Sequence, residues 1–168
     1  MKKKRKTPSG EFQIDQSGKI EQTNLNTVVA LTDGKKFTVV LGKKDKRILE
    51  ATFKKMGKIK SYPYVVFAAL LAILLNLVDV KNKVIVDREY MGHENTIRER
   101  TLHFLHSLGV ESDLIIEFGH VGKLSKAHDL AAKVGSKKVK PDKVVSLREV
   151  LGLILKLHHK KRPRLVNN

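Results

Sequence analysis

Cysteine and tryptophan are both absent from this chain of 168 residues. Without cysteine the chain can form no disulfide, no thiolate nucleophile and no cysteine-ligated zinc site, and this composition is typical of a cytosolic protein. Aromatic residues make up only 5% of the chain, so stacking of nucleic-acid bases on aromatic rings is poorly provided for.

Acidic residues are also scarce. The chain has 17 Asp and Glu against 34 Lys and Arg, which gives a formal net charge of +17. A positive field of this size attracts polyanions, so nucleic acid is the leading class of partner and an anionic membrane surface is the lesser alternative. With few aromatic residues, contact with the backbone of RNA, DNA or a hybrid is favoured over reading of the base sequence.

We expect no membrane span and no secretory signal. The longest apolar run, Val65–Leu75, is shorter than the roughly 20 residues that a spanning helix needs, so it predicts a buried helix. The basic run Lys2–Lys6 is not followed by the apolar region of a signal peptide. A cytoplasmic location is expected, or a nuclear one if Lys2–Lys6 acts as a localisation signal in a eukaryote.

Charge runs and hydrophobic periodicity divide the chain into three parts. Residues 1–10 are predicted to form a basic disordered arm and residues 11–135 a single α/β domain. Residues 136–168 are predicted to form a basic linker, a C-terminal helix and a basic tail.

The central domain is predicted to contain five strands and four helices. Asp33-Gly34 predicts a hairpin between the second and third strands, and Pro63 suits the first turn of a helix. The predicted strands are Glu11–Ser17, Thr27–Leu31, Lys36–Leu41, Lys83–Asp87 and Asp113–Phe118. The predicted helices lie within Lys43–Lys60, Tyr62–Val78, Asn95–Leu108 and Ala127–Lys133, with a further helix after Ser146 in the C-terminal part.

This order of elements resembles the ribonuclease H-like fold, which ribonucleases H, retroviral integrases, transposases and Holliday-junction resolvases share. The resemblance spans Phe12–Val134. The segment Phe118–Ala131, a glycine–histidine loop followed by a helix that carries an aspartate, is similar to a ribonuclease H segment. Val84–Asp87 is similar to the fourth strand of that family, which ends in a catalytic aspartate. Ile14–Gly18 resembles its first strand and also the opening of an uncharacterised family with the same fold.

The chain departs from the ribonuclease H pattern in its first long helix. That helix carries a glutamate in ribonucleases H, whereas Val65–Leu75 contains no acid. Glu89 lies two residues past Asp87 and is the leading substitute, with Glu94 and Glu117 as weaker candidates.

The resemblance implies a nuclease in which carboxylates bind two divalent ions. The predicted metal ligands are Asp15, Asp87 and Asp129, because carboxylate oxygens suit Mg²⁺ or Mn²⁺ and ligands gather at the carboxyl ends of strands in α/β sheets. Glu89 is a further catalytic candidate, and the resemblance implies that His120 aids proton transfer or product release. Each aspartate could instead be an ordinary strand-end or helix-start residue, and His120 could be polar surface.

Lysines follow the predicted site directly and are predicted to bind nucleic acid. They are Lys123, Lys126, Lys133, Lys137 and Lys138. His128, beside Asp129, is expected on the surface of its helix. We therefore expect a metal-dependent nuclease that cleaves phosphodiester bonds of a structured nucleic acid. The alternative is a non-catalytic nucleic-acid-binding module on a degenerate fold of the same type, and a basic chaperone-like or ribosome-associated protein is a third class.

Overall fold

The computed structural model describes residues 11–111 and 113–159, with side chains described as far as residue 156. In chain order the strands are β1 (Phe12–Ser17), β2 (Thr27–Thr32), β3 (Phe37–Leu41), β4 (Lys83–Asp87), β5 (Ile115–Gly119) and β6 (Lys143–Val145). The helices are α1 (Lys43–Lys55), α2 (Tyr62–Val78), α3 (Glu94–Ser107), α4 (Lys126–Gly135) and α5 (Leu147–His159), with a short 3-10 helix at Ile59–Ser61.

The strands form one mixed sheet in the order β5-β4-β1-β2-β3-β6. The first three strands form an antiparallel meander that contains the predicted hairpin between β2 and β3. Asp33 and Gly34 have positive φ values of 75° and 127° between these two strands. β1 pairs with β4 in parallel, and β4 pairs with β5 in parallel. The predicted α/β class is therefore confirmed.

Within the described residues the sheet has six strands rather than the predicted five. β6 pairs in parallel with β3, and Asp142 fixes its start by accepting hydrogen bonds from Thr38 N at 2.8 Å and Thr38 Oγ1 at 3.0 Å. The sequence predicts a linker where β6 lies. A strand of three residues within a lysine-rich stretch shows no alternation of apolar and polar residues by which it could be recognised. Residues 1–10 and 160–168, predicted as a basic arm and tail, lie outside the described residues.

Two apolar layers cover the two faces of the sheet. The larger one lies on the face covered by α2 and includes Ile14 and Val86. The smaller one joins Val28, Ala30 and Val40 to Ala131 and Val134 of α4 on the opposite face. Side chains along β1 and β4 therefore alternate between the main core and the α4 side.

Helix α2 is the centre of the main core, as predicted. It is buried along nearly its whole length and packs against the sheet, α3 and α5. The stretch Ile59–Val78 is long and apolar enough to cross a membrane by length and composition, but 72% of its most apolar window is buried within the protein. A core helix of a soluble fold passes the same test, so this stretch is weak evidence for a membrane span.

Lys46 is a fully buried cation in α1. The three N–H groups of its ammonium are shared among four acceptors at 2.7–2.9 Å from Nζ, namely the carbonyl oxygens of Lys19, Gln22 and Leu25 and Thr27 Oγ1. Burial lowers the pKa of Lys46 to about 8. The sequence pattern predicts a solvated cationic face for this helix, and Lys46 is the exception because the β1–β2 loop folds its carbonyls over the ammonium group.

We expect Lys46→Met to destabilise the protein strongly. The substitution keeps an apolar stem but removes all hydrogen bonds of the ammonium group. Lys19 O and Gln22 O still accept bonds of 3.1 Å from Gln22 N and Leu25 N, whereas Leu25 O loses its Nζ partner, and a buried unsatisfied group costs about 1–3 kcal/mol. A loss of about 1–3 kcal/mol in the free energy of unfolding is expected from urea titration. The control is Lys44→Met at an exposed position of the same helix. Equal stability of the two variants would show that the Lys46 contacts do not hold the loop.

Candidate functional site

The parallel pairing of β1 with β4 brings two aspartates to one end of the sheet. Ile14 is opposite Val86 in the register, so Asp15 and Asp87 follow on neighbouring strands and face the α4 side. Both lie toward the carboxyl ends of their strands, which is where ligands gather in α/β sheets. β1 and β4 are adjacent in the sheet, which brings Asp15 and Asp87 close together.

Three carboxylates meet at this edge. One oxygen each from Asp15, Asp87 and Glu89 lies within 4.8 Å of the others, and we call these residues the acidic cluster. Asp15 is only 3% exposed. The predicted substitute Glu89 therefore joins the two aspartates. The weaker candidates Glu94 and Glu117 instead pair with Arg88 at 3.4 Å and Lys83 at 2.9 Å.

Hydrogen bonds from three elements orient the two aspartates. Asp15 Oδ1 accepts a bond of 2.7 Å from Gln16 N, and its Oδ2 lies 2.8 Å from His128 Nδ1 of α4. Asp87 Oδ1 accepts a bond of 2.8 Å from Val121 N in the loop between β5 and α4. The loop and α4 are therefore tied directly to the acidic cluster.

The acidic cluster carries unfavourable negative charge. Burial raises the pKa of Asp15, and the Asp87 carboxylate raises it further against the opposing bonds from Gln16 and His128. Burial is also the main cause that raises the pKa of Glu89, followed by the charge of Asp87. Lys19 offsets this only weakly, since its Nζ lies 3.9 Å from Glu89 Oε2. A bound cation would relieve the repulsion.

Tyr90 fixes the chain immediately after Glu89. Its hydroxyl accepts hydrogen bonds of 3.1 Å from both Gln16 Nε2 and Ile20 N, and its ring packs on Phe67 with centroids 5.3 Å apart. Tyr90 thereby joins β4 to the β1–β2 loop that Lys46 also holds.

Asp129 is not brought into the acidic cluster. It is exposed on α4 and pairs with Lys133, with its Oδ2 2.7 Å from Nζ. α4 buries Ala127, Ala131 and Val134 against the sheet, and at about 100° per residue Asp129 falls on the opposite side of the helix.

His128 takes the place beside Asp15 that was predicted for Asp129. His128 does lie on the surface of its helix, with 41% of its side chain exposed, but its ring also contacts the buried carboxylate of Asp15, which was not predicted. The apolar stripe of α4 is visible in the sequence, and His128 borders it. The helical periodicity of the stripe is therefore a signal by which His128 could have been identified.

The remaining predicted residues lie in the loop between β5 and α4, along α4 or just after it. His120 is exposed in the loop between β5 and α4, next to Val121, and its catalytic role stays a prediction. The predicted nucleic-acid-binding lysines are all exposed in that loop, along α4 or just after it: Lys123, Lys126, Lys133, Lys137 and Lys138. Lys133 is neutralised in part by Asp129.

Comparison with known proteins gives no match to a family model, to a curated protein or to a solved structure. Function is therefore inferred from the geometry of the site.

We expect Glu89→Gln to stabilise the metal-free protein relative to wild type, by an amount that grows as pH rises. Because the pKa of Glu89 is raised in the folded protein, the native state holds this proton more tightly than the unfolded chain does. The stabilisation that this proton gives the native state is fully present below the unfolded-state pKa of about 4.3. It is lost as pH rises through the native pKa. Thermal unfolding in EDTA should give equal Tm differences from wild type near pH 4 for Glu89→Gln and Glu111→Gln, an exposed control. By pH 7 the Tm of Glu89→Gln, but not that of Glu111→Gln, should have risen relative to the Tm of wild type. A parallel pH dependence of Tm in all three proteins would contradict this.

Proposed function

We propose that this protein is a divalent-metal-dependent nuclease that acts on a structured nucleic acid. The acidic cluster carries the proposal, because three partly or fully buried carboxylates converge in a chain whose net charge is +17. Exposed lysines on the adjoining loop and α4 would attract the phosphates of the substrate. Attraction of a polyanion and local binding of a cation are the two requirements of metal-assisted phosphodiester hydrolysis.

The arrangement of the strands supports a sheet of the ribonuclease H-like type. The resemblance implies adjacent first and fourth strands with the last helix of the domain packed across their ends. β1 and β4 are neighbours, and α4 packs on β1 and contacts Asp15 through His128. β6 and α5 would then be additions to that core arrangement.

The donor set fits Mg²⁺ or Mn²⁺. Asp15, Asp87 and Glu89 offer carboxylate oxygens, the ligands that these hard cations prefer. A metal held there would activate a water nucleophile and stabilise the charge that develops on the phosphate. The protein itself orients the ligands: Val121 N holds Asp87, His128 holds Asp15, and Tyr90 fixes the chain after Glu89.

Two observations favour the second candidate, a binding module without catalysis. His128 Nδ1 already lies 2.8 Å from one oxygen of Asp15, and Asp129 pairs with Lys133 instead of joining the acidic cluster. In such a module the lysines would still bind nucleic acid, while the acidic cluster would hold no metal.

We expect Mn²⁺ or Mg²⁺ to stabilise the wild-type protein and to support cleavage. Ions that bind only the folded state add about 2.7 kcal/mol to the free energy of unfolding at 100 times their Kd. Asp87→Asn should abolish this rise in Tm and reduce cleavage of hybrid, duplex or branched substrates by at least about 100-fold. Asp129→Asn is the matched control and should keep both.

Two results would decide against parts of this proposal. Cleavage that survives Asp87→Asn would place the activity elsewhere or in a contaminant. No cleavage of any substrate together with no divalent-ion stabilisation would leave the binding module as the function.

We expect binding of a duplex to weaken steeply with salt. Each lysine–phosphate contact contributes about −0.9 to the slope of log K against log [salt]. Replacing Lys123, Lys126 and Lys137 together by Ala should flatten the slope by up to about 2.7. Lys81→Ala, at the opposite end of β4, is the control. Fluorescence anisotropy between low and moderate salt gives both slopes, and equal slopes would exclude the α4 surface as the phosphate contact.

A further inference from the structure

The two most exposed large apolar side chains of the described residues lie close in sequence to residues of the candidate site. Leu124 is 103% exposed and Met91 is 76% exposed. Single exposed apolar residues are common on protein surfaces. These two, however, lie on the loops that follow the adjacent strands β5 and β4, within three residues of Val121 and Glu89 respectively.

Each of these side chains stands at the tip of a closed turn. His93 N donates to Tyr90 O at 3.1 Å around Met91, and Ser125 N donates to Gly122 O at 3.1 Å around Leu124. The glycines that these turns require, Gly92 and Gly122, have φ values of 83° and 82°.

Both turns are fixed at their ends. The hydroxyl of Tyr90 is hydrogen-bonded inside the protein, and Ser125 caps α4 by accepting a bond of 3.0 Å from His128 N. The turns therefore hold the two apolar side chains out into solvent, on the two loops that also carry Val121 and Glu89.

The surroundings of these side chains match a nucleic acid. Lys123 and Lys126, both exposed, lie on either side of Leu124 in the sequence. An apolar protein surface would gain nothing from these cations, whereas a nucleic acid presents phosphates and apolar base faces together. The chain has no tryptophan and only 5% aromatic residues, and Leu and Met are among the side chains that insert between base steps.

We propose that Leu124 and Met91 contact unstacked bases, and that the preferred substrate is a duplex interrupted by unpaired nucleotides near the scissile phosphate. The inference rests on the proposed function, since it requires nucleic acid at the acidic cluster. Opening a paired stack costs free energy, and the cost is least where a base is already unpaired. A duplex with a bulge would therefore accept the two side chains more readily than a continuous one.

The test compares a duplex that carries a two-nucleotide bulge with its fully paired counterpart, each made as DNA and as RNA. Both contain 2-aminopurine beside the bulge position, and EDTA prevents cleavage. Wild type is expected to bind the bulged form of at least one nucleic acid about tenfold more tightly and to raise its fluorescence. The double variant Leu124→Ser/Met91→Ser should lose the preference and the fluorescence change while keeping the salt dependence. Val144→Ser, at a side chain 65% exposed on β6, should behave as wild type.

Several outcomes would overturn the inference. Equal binding of bulged and paired forms by wild type, or a preference that survives in the double variant, would overturn it and leave the proposed function standing. Absence of binding to every duplex would overturn both. A wild type that dimerises where the double variant is monomeric in sedimentation analysis would assign Leu124 and Met91 to a contact between copies of the chain.

Discussion

The parallel pairing of β1 with β4 is the constraint on which the candidate site depends. Ile14 and Val86 are opposite each other in the register and buried in the main core, and the alternation of side chains then puts Asp15 and Asp87 together on the other face. The repulsion between these carboxylates is too small to separate strands whose opposite face is packed against α2. Hydrophobic burial on one side of the sheet thereby imposes an unfavourable charge arrangement on the other, which is how metal and catalytic sites commonly arise.

Buried polar contacts of Lys46 and Tyr90 fix the chain segments next to the acidic cluster. Lys46 Nζ binds three backbone carbonyls of the β1–β2 loop. The Tyr90 hydroxyl accepts hydrogen bonds from Gln16 of β1 and from Ile20 of the same loop, and so joins both to the chain that follows β4. Both groups are buried, so a lost partner would leave an unsatisfied polar atom. This network gives Glu89 a fixed backbone position although it lies beyond the last residue of its strand.

Charge is distributed unevenly between the site and its surroundings. The acidic cluster gathers three of the chain's 17 acids, while the loop after β5 and α4 present exposed lysines. Asp129 pairs with Lys133 on the outer face of α4. An acid on the helix that was predicted to supply a metal ligand therefore does not by that fact alone reach the acidic cluster. What decides its role is the rotation of the helix, which Ala127 and Ala131 set by packing against the sheet.

The sequence by itself determined the elements whose patterns are local: the hairpin at Asp33-Gly34, the buried helix Tyr62–Val78 and the strand that ends at Asp87. It also determined the excess of positive charge. Only the tertiary structure decided which long-range pairs form, because the free energy of β-pairing and of helix docking depends on partners far apart in the chain. For that reason β6 escaped prediction, and for the same reason His128 rather than Asp129 stands beside Asp15.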